Sequence, residues 1–164
     1  MITEFKDEYS FLSNFYPCKV RSNCIDYLCS EAAYQAEKST NPKVRQEFIT
    51  LNGAQSKKHG KQIRIRLNWE DIKVDCMYWI VRAKFEQNPE LAAKLLGTGS
   101  EEIVEGNAWH DTFWGQCPIG TGENHLGKIL MRVRDELKGT VEPLIIKPEV
   151  SAPVTPELSR VSLW

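Results

Sequence analysis

Glu31, Tyr34, Gln35 and Lys38 stand at i, i+3, i+4 and i+7, so a helix through them projects a carboxylate, a phenol, an amide and an amine from one face. Together they supply acid or base catalysis, stacking and hydrogen bonding in one place. The same spacing also describes a solvated helix face, and spacing alone does not choose between the two. A second concentration, Asn107, Trp109, His110, Asp111, Trp114 and Gly115, falls in a stretch too rich in tryptophan for a simple surface connection. Indole faces in a loop suit stacking on a flat base, and Asp111 among them has the chemistry of an acid or base. The alternative is a loop that plugs the core, with Asp111 capping a turn.

Two further segments have the makings of an anion site. Gly120-Thr121-Gly122 ahead of Asn124 resembles a glycine turn whose free amides converge with a helix dipole, although such turns are more often only turns. The basic stretch from Lys57 to Arg66 offers Arg64 and Arg66 for phosphate contact, against the ordinary reading of a solvated charged face.

The chain that must position these groups has 164 residues, enough for one domain with a core that needs no covalent staple. Its 21 Lys and Arg balance 22 Asp and Glu, so no global basic field holds a polynucleotide and any nucleic-acid contact is local. The five cysteines form no C-x-x-C pair and the three histidines, His59, His110 and His125, lack ligand spacing. Reduced structural thiols are expected, with no metal and no cofactor. No apolar run approaches membrane-spanning length and the N-terminus lacks the features of a leader. A soluble, cytoplasmic protein is the expectation.

From residue 5 to 28, short aromatic and β-branched runs broken by turn formers predict small strands and loops. Helices follow at 30–40 and 42–51, the first ended by Asn41-Pro42 and the second begun by that proline. Asn52-Gly53 breaks the chain before a basic helix carrying Lys57, Lys58, Lys61, Arg64 and Arg66. Asn68 is placed to cap the next helix, with Ile72, Cys76, Trp79, Ile80 and Ala83 as its buried stripe. A short helix after Asn88-Pro89, a strand at 102–105, the aromatic loop at 107–122 and a helix at 124–138 complete the body. The fold class is α+β, a predominantly helical single domain with a few short strands. Residues 1–139 form the body of the domain, and 140–164, with Pro143, Pro148, Pro153 and Pro156, are expected to form an extended tail that either drapes on the body or is disordered.

These segments resemble the NADAR family, also called YbiA-like. The likeness is carried by FLSNFYP at 11–17, SEAAYQAEK at 30–38, RLNW at 66–69, KFEQNPELAAKLLGTG at 84–99, EGNAWHDTFWG at 105–115 and GENHLGKILMRVRDEL at 122–137. It departs from the family at Ala32 and Ala33, where a histidine and an aromatic often follow the glutamate, and at Ser39, where an aromatic is frequent. The resemblance implies an N-glycosidase that cuts the bond between ribose C1 and an exocyclic amine of a flat heterocycle, either a ribosylamino-pyrimidine phosphate of the riboflavin pathway or ADP-ribosylated guanine. The implied partner is thus a small nucleotide-like substrate, with ADP-ribosylated nucleic acid as the macromolecular case.

Cleavage builds positive charge on the ribose, so the resemblance assigns Glu31 as electrostatic stabiliser or base and Asp111 as its partner. It gives Lys38 either attack on an opened imine, as a neutral amine, or contact with phosphate. Trp69, Trp109 and Trp114 then wall the base pocket with Gly115 beside them, Tyr34 and Gln35 shape it, and Asn14 and Asn124 meet ribose or phosphate oxygens. Trp79 is left to the core. The rival reading is a non-catalytic module that binds ADP-ribose or a related nucleotide with the same aromatic walls; a reader needs the stacking surfaces but not three ionisable groups.

Overall fold

The N-terminal hairpin forms because Asn23 and Cys24 both take positive φ, 49° and 63°, the two-residue turn whose twist matches that of its strands. It joins β1 (Val20–Ser22) to β2 (Ile25–Tyr27), antiparallel with Val20 opposite Tyr27. Six helices follow in this computed structural model, which describes residues 1–140: α1 (Ser30–Ala36), α2 (Pro42–Gln46), α3 (Gly53–Gly60), α4 (Trp69–Gln87), α5 (Pro89–Gly97) and α6 (His125–Thr140). A 3-10 helix, Asp7–Leu12, precedes the hairpin. The architecture is the expected α+β domain, mostly helical. The expectation for the proline-containing tail lies outside the described residues.

α1 is the central element. All seven of its residues are buried, because it is packed between α3, α4 and the hairpin. Its alanines, Ala32, Ala33 and Ala36, are fully buried and let those neighbours approach closely. At Gly60, the last residue of α3, a Cβ would stand 1.9 Å from Gln35 Oε1, so with glycine there α3 packs on α1 without displacing the Gln35 amide. α3 itself starts with a capping box in which the Asn52 and Gln55 side chains each accept the other's backbone N–H.

Several expected elements end early. The helix expected over 30–40 stops at Ala36 and closes with i to i−3 bonds from Lys38 N–H to Gln35 O and from Ser39 N–H to Ala36 O. Lys38 therefore follows the last helical turn. α2 stops at Gln46 and continues in similar turns through Ile49. α3 ends at Gly60, which leaves Arg64 and Arg66 in a loop. Asn68 stands before α4 without capping it, because its Oδ1 accepts from Arg66 Nε. The strand expected at 102–105 is reduced to a single parallel bridge between Ile2 and Ile103.

On α4 the expected stripe is displaced around the helix. Met77, Ile80, Val81, Lys84 and Phe85 are buried, whereas Trp79 is 60% exposed, and the Arg82 guanidinium lies 5.5 Å from its ring centroid. The cause is Lys84, a residue that pattern reading assigns to the surface. Its ammonium is buried and donates to the carbonyls of Phe11 (2.6 Å) and Ser13 (2.9 Å), so the inward face is centred one residue away from the apolar stripe. α6 conforms to expectation, burying Leu126, Ile129, Leu130 and Val133.

Candidate active site

A cavity of about 910 Å³ opens between α1, α3, the start of α4, the N-terminal segment and the loop through 104–120, a size suited to a nucleotide-like ligand. Glu31 reaches it from the first turn of α1. Asn14 fixes that turn: its carbonyl accepts from Glu31 N–H (2.9 Å) and Ser30 Oγ (3.2 Å), and its Oδ1 also accepts from Ser30 Oγ (3.0 Å). Asn14 Nδ2 points to Met77 Sδ at 3.3 Å. Asn14 thus lines the cavity with its side chain already engaged. The two bonds from Lys84 hold the backbone immediately before it.

Gln35, one turn on, donates from Nε2 to Glu31 Oε1 at 2.7 Å, a bond that favours the carboxylate. Burial acts the other way and more strongly, raising the Glu31 pKa; the Gln35 bond and the ammonium groups of Lys57 and Lys38 pull it back, while Asp111 adds to the rise. Lys38 is half-buried, and desolvation lowers its pKa against the attraction of Glu31. Beside these groups Tyr34 stacks at 5.1 Å from Trp69 and meets Trp114 edge-on at 5.6 Å. Burial, and then the Glu31 charge, push the Tyr34 phenol up, so it serves as a neutral wall and hydrogen-bonding group.

The opposite wall is a loop pinned by side chains. Asn107 closes a turn reciprocally, accepting from Asp111 N–H (2.9 Å) and donating to Asp111 O (2.8 Å). Asp111 Oδ1 accepts from the amides of Phe113 (3.1 Å) and Trp114 (2.9 Å), so the carboxylate caps a turn and also lines the cavity. Trp109 stands at the cavity mouth, 65% exposed, with the Lys57 ammonium 5.9 Å from its ring centroid.

The cavity gathers Asn14, Glu31, Tyr34, Gln35, Lys38, Trp69, Trp109, Asp111 and Trp114 of the residues picked from sequence. Arg64, Arg66, Gly115 and Asn124 are not on its wall. Arg64 is exposed in the loop after α3, and Arg66 donates through its backbone to Lys38 O (2.7 Å), supporting Lys38 from behind. Gly115 is required by crowding, since a Cβ there would stand 2.1 Å from Glu105 O. Asn124, at φ 52°, accepts from Glu105 N–H (3.0 Å) and donates to Ile103 O (3.0 Å), which commits its amide to the backbone.

Glu105 and Lys57 are among the wall residues that sequence reading did not select for the site, as are Glu4, Glu70 and Lys73. Lys57 sits on the expected basic helix, exposed, at the edge of the cavity beside Trp109. Glu105 heads the EGNAWHDTFWG segment, and only its place at the head of the aromatic loop hinted at it. Its carboxyl is pushed up to about 7, by burial first and then by Asp111 and Glu31. Among the described residues no helix is long and apolar enough to cross a membrane.

The family model of the NADAR domain matches residues 2–138. The chain is 38% identical over 135 residues to a riboflavin biosynthesis protein of Vibrio vulnificus (strain YJ016), covering 80% of this chain and 36% of that protein; it spans roughly a third of that relative. It is 34% identical over 134 residues to the N-glycosidase YbiA of Escherichia coli (strain K12), covering 80% of this chain and 83% of the other. The NMR structure of the E. coli protein YbiA superposes with a TM-score of 0.76 at 32% identity, covering 87% of this chain and 89% of that one. With the family model matching residues 2–138 and the sequence and fold likenesses covering most of both chains, the chain belongs to the NADAR domain family, among enzymes of the N-glycosidase type.

Proposed function

We propose that the protein hydrolyses the bond between ribose C1 and the exocyclic amine of a nucleobase-like group, with a ribosylamino-pyrimidine phosphate as first candidate substrate and ADP-ribosylated guanine as second. The observation that carries this is one cavity in which the buried Glu31 carboxyl faces an aromatic wall of Tyr34, Trp69 and Trp114. A heterocycle held on that wall brings its glycosidic bond within reach of the carboxyl. The positive charge that develops on ribose as the bond lengthens is then met by Glu31. Asp111 adds negative charge from the facing loop. Lys38 and Lys57 supply the cationic side of the cavity, where a substrate phosphate is balanced.

The riboflavin biosynthesis name of the Vibrio relative orders the two substrates. Residues 1–139 are the proposed catalytic unit, which agrees with a family match ending at 138, and the cytoplasm is the proposed place of action. Lys38 is placed either for attack on an opened sugar imine or for holding phosphate; borohydride added during turnover traps an adduct in the first case alone.

The test is mass spectrometry of products from the wild type and Glu31→Gln, incubated with a ribosylamino-pyrimidine phosphate and with DNA carrying ADP-ribosylated guanine. Wild type is expected to release free sugar phosphate or ADP-ribose, and Glu31→Gln to release it about 10²–10³-fold more slowly while still binding. Binding without release by either protein would sink the reading and leave a nucleotide-binding module.

A further inference from the structure

Of the carboxyls that line the cavity, Glu31, Asp111 and Glu105 differ in what holds them. Glu31 accepts the Gln35 amide, and Asp111 accepts two backbone amides. Glu105 has a shielded Oε2 without a hydrogen-bond partner among the described residues. Its backbone, in contrast, is fixed on both sides, with N–H given to Asn124 Oδ1 and the carbonyl receiving Gln116 N–H (2.8 Å). Gly115 and Gly106 allow the neighbouring strands to close on it, since a Cβ at either would stand 2.1 Å from a backbone oxygen. A rigid backbone thus presents an unpaired, largely desolvated carboxyl to the place where the substrate is proposed to bind.

The charged groups that face it are Asp111 on its own loop, Glu31 on α1 and Lys57 on α3. Glu4 of the N-terminal segment and Lys38 stand further along the wall. Burial raises both carboxyls, but only Glu31 accepts a hydrogen bond, from Gln35 Nε2, whereas Glu105 Oε2 is unpaired. A bond donated to a carboxylate favours its charged form, and an unpaired, shielded oxygen suits a carboxyl that carries a proton.

We propose that Glu105 is the general acid of the reaction, delivering its proton to the exocyclic nitrogen as the bond to ribose C1 breaks. This rests on the N-glycosidase reading of the cavity. The bonding electron pair leaves with nitrogen, the Glu105 proton joins it, and the amine departs neutral. One water adds to C1 and gives its proton to the Glu31 carboxylate. Glu105 ends ionised and Glu31 protonated, and exchange with solvent restores both.

An acid that must be protonated places a falling alkaline limb on kcat/KM, set near pH 7 by the Glu105 carboxyl. The apparent value belongs to the coupled carboxyls rather than to Glu105 alone. The experiment is a pH profile of wild type, Glu105→Gln and Glu105→Asp on two N-ribosides, one with a basic leaving amine and one with a nitroaniline. Thermal melts accompany the profiles to establish that each variant is folded.

Glu105→Gln is expected to lose about 10²–10⁴-fold on the basic amine, to lose the alkaline limb, and to recover to within about tenfold of wild type on the nitroaniline, which leaves without a proton. Glu105→Asp should keep the limb at a reduced rate. A folded Glu105→Gln with the wild-type rate and limb on both ribosides overturns the acid role while leaving the glycosidase intact. A wild type that releases sugar from no N-riboside overturns the glycosidase reading itself, and the acid role with it.

Discussion

On the helical side of the cavity, Glu31 and Gln35 are set by the regular geometry of a fully buried helix whose first turn is anchored to Asn14. On the loop side, Glu105 and Asp111 are set by individual side chains, Asn124 and Asn107, that replace missing secondary structure with bonds to the backbone. The helical wall spreads its support over many apolar contacts. The loop wall concentrates it in a few polar ones, so single deletions there remove more order. Catalytic carboxyls on both walls must keep a fixed separation, and the loop wall is the one where that separation is easiest to lose.

Asn124→Ala should produce the largest disturbance of this contrast. It leaves the Glu105 N–H and the Ile103 carbonyl unpaired, at about 1–3 kcal/mol for each buried group. It also places alanine at a φ of 52°, for about 1 kcal/mol more. A loss of at least roughly 3 kcal/mol in stability is expected, together with faster hydrogen exchange at Glu105 and unchanged protection of the Glu31 amide. Equal loss of protection on both walls would show that they open as one unit, and the distinction would fall.

Gly60→Ala probes the helical wall by a smaller step. The added methyl lies where Gln35 Oε1 stands, so the buried amide must turn and its bond to Glu31 is strained or broken. Overpacking costs about 1–3 kcal/mol, offset by up to about 1 kcal/mol of helix propensity. The net stability change is expected to be about 1–2 kcal/mol, while the rate of sugar release falls about tenfold because the carboxylate loses a hydrogen bond. Stability lost without any change in rate would mean that Gln35 does not orient Glu31.

The same contrast explains what could be read in advance. Glu31, Tyr34 and Gln35 share a helix face, and period alone brings them together. Nothing local identifies Glu105 or excludes Asn124, because their roles depend on α6 meeting residues about twenty positions earlier in the chain. Asn124 presented a polar side chain at a helix start, which reads as a ligand contact; the positive φ and the backbone partners that give it a structural role appear only in three dimensions. Arg64 and Arg66 were misplaced for a simpler reason. α3 stops at Gly60, and beyond it helical spacing no longer predicts direction. The stripe on α4 slipped because a buried Lys84 satisfied by two carbonyls is invisible to a pattern built on apolar residues.

Trp79 and Trp69 lie on the same helix, and a composition-based view treats them alike. Trp69 is 5% exposed and packs at a tilt against Tyr34 in the cavity wall, whereas Trp79 is 60% exposed, with Tyr78 and Arg82 against its ring. Trp79→Ser should therefore cost no more than about 1 kcal/mol, the worth of an exposed cation–π contact, and leave sugar release within about twofold of wild type. Urea unfolding and the product assay measure the two quantities. A rate loss comparable to that of Gly60→Ala would mean that the far face of α4 also carries the site, since a residue directed away from the cavity has no path to the chemistry except through the helix itself.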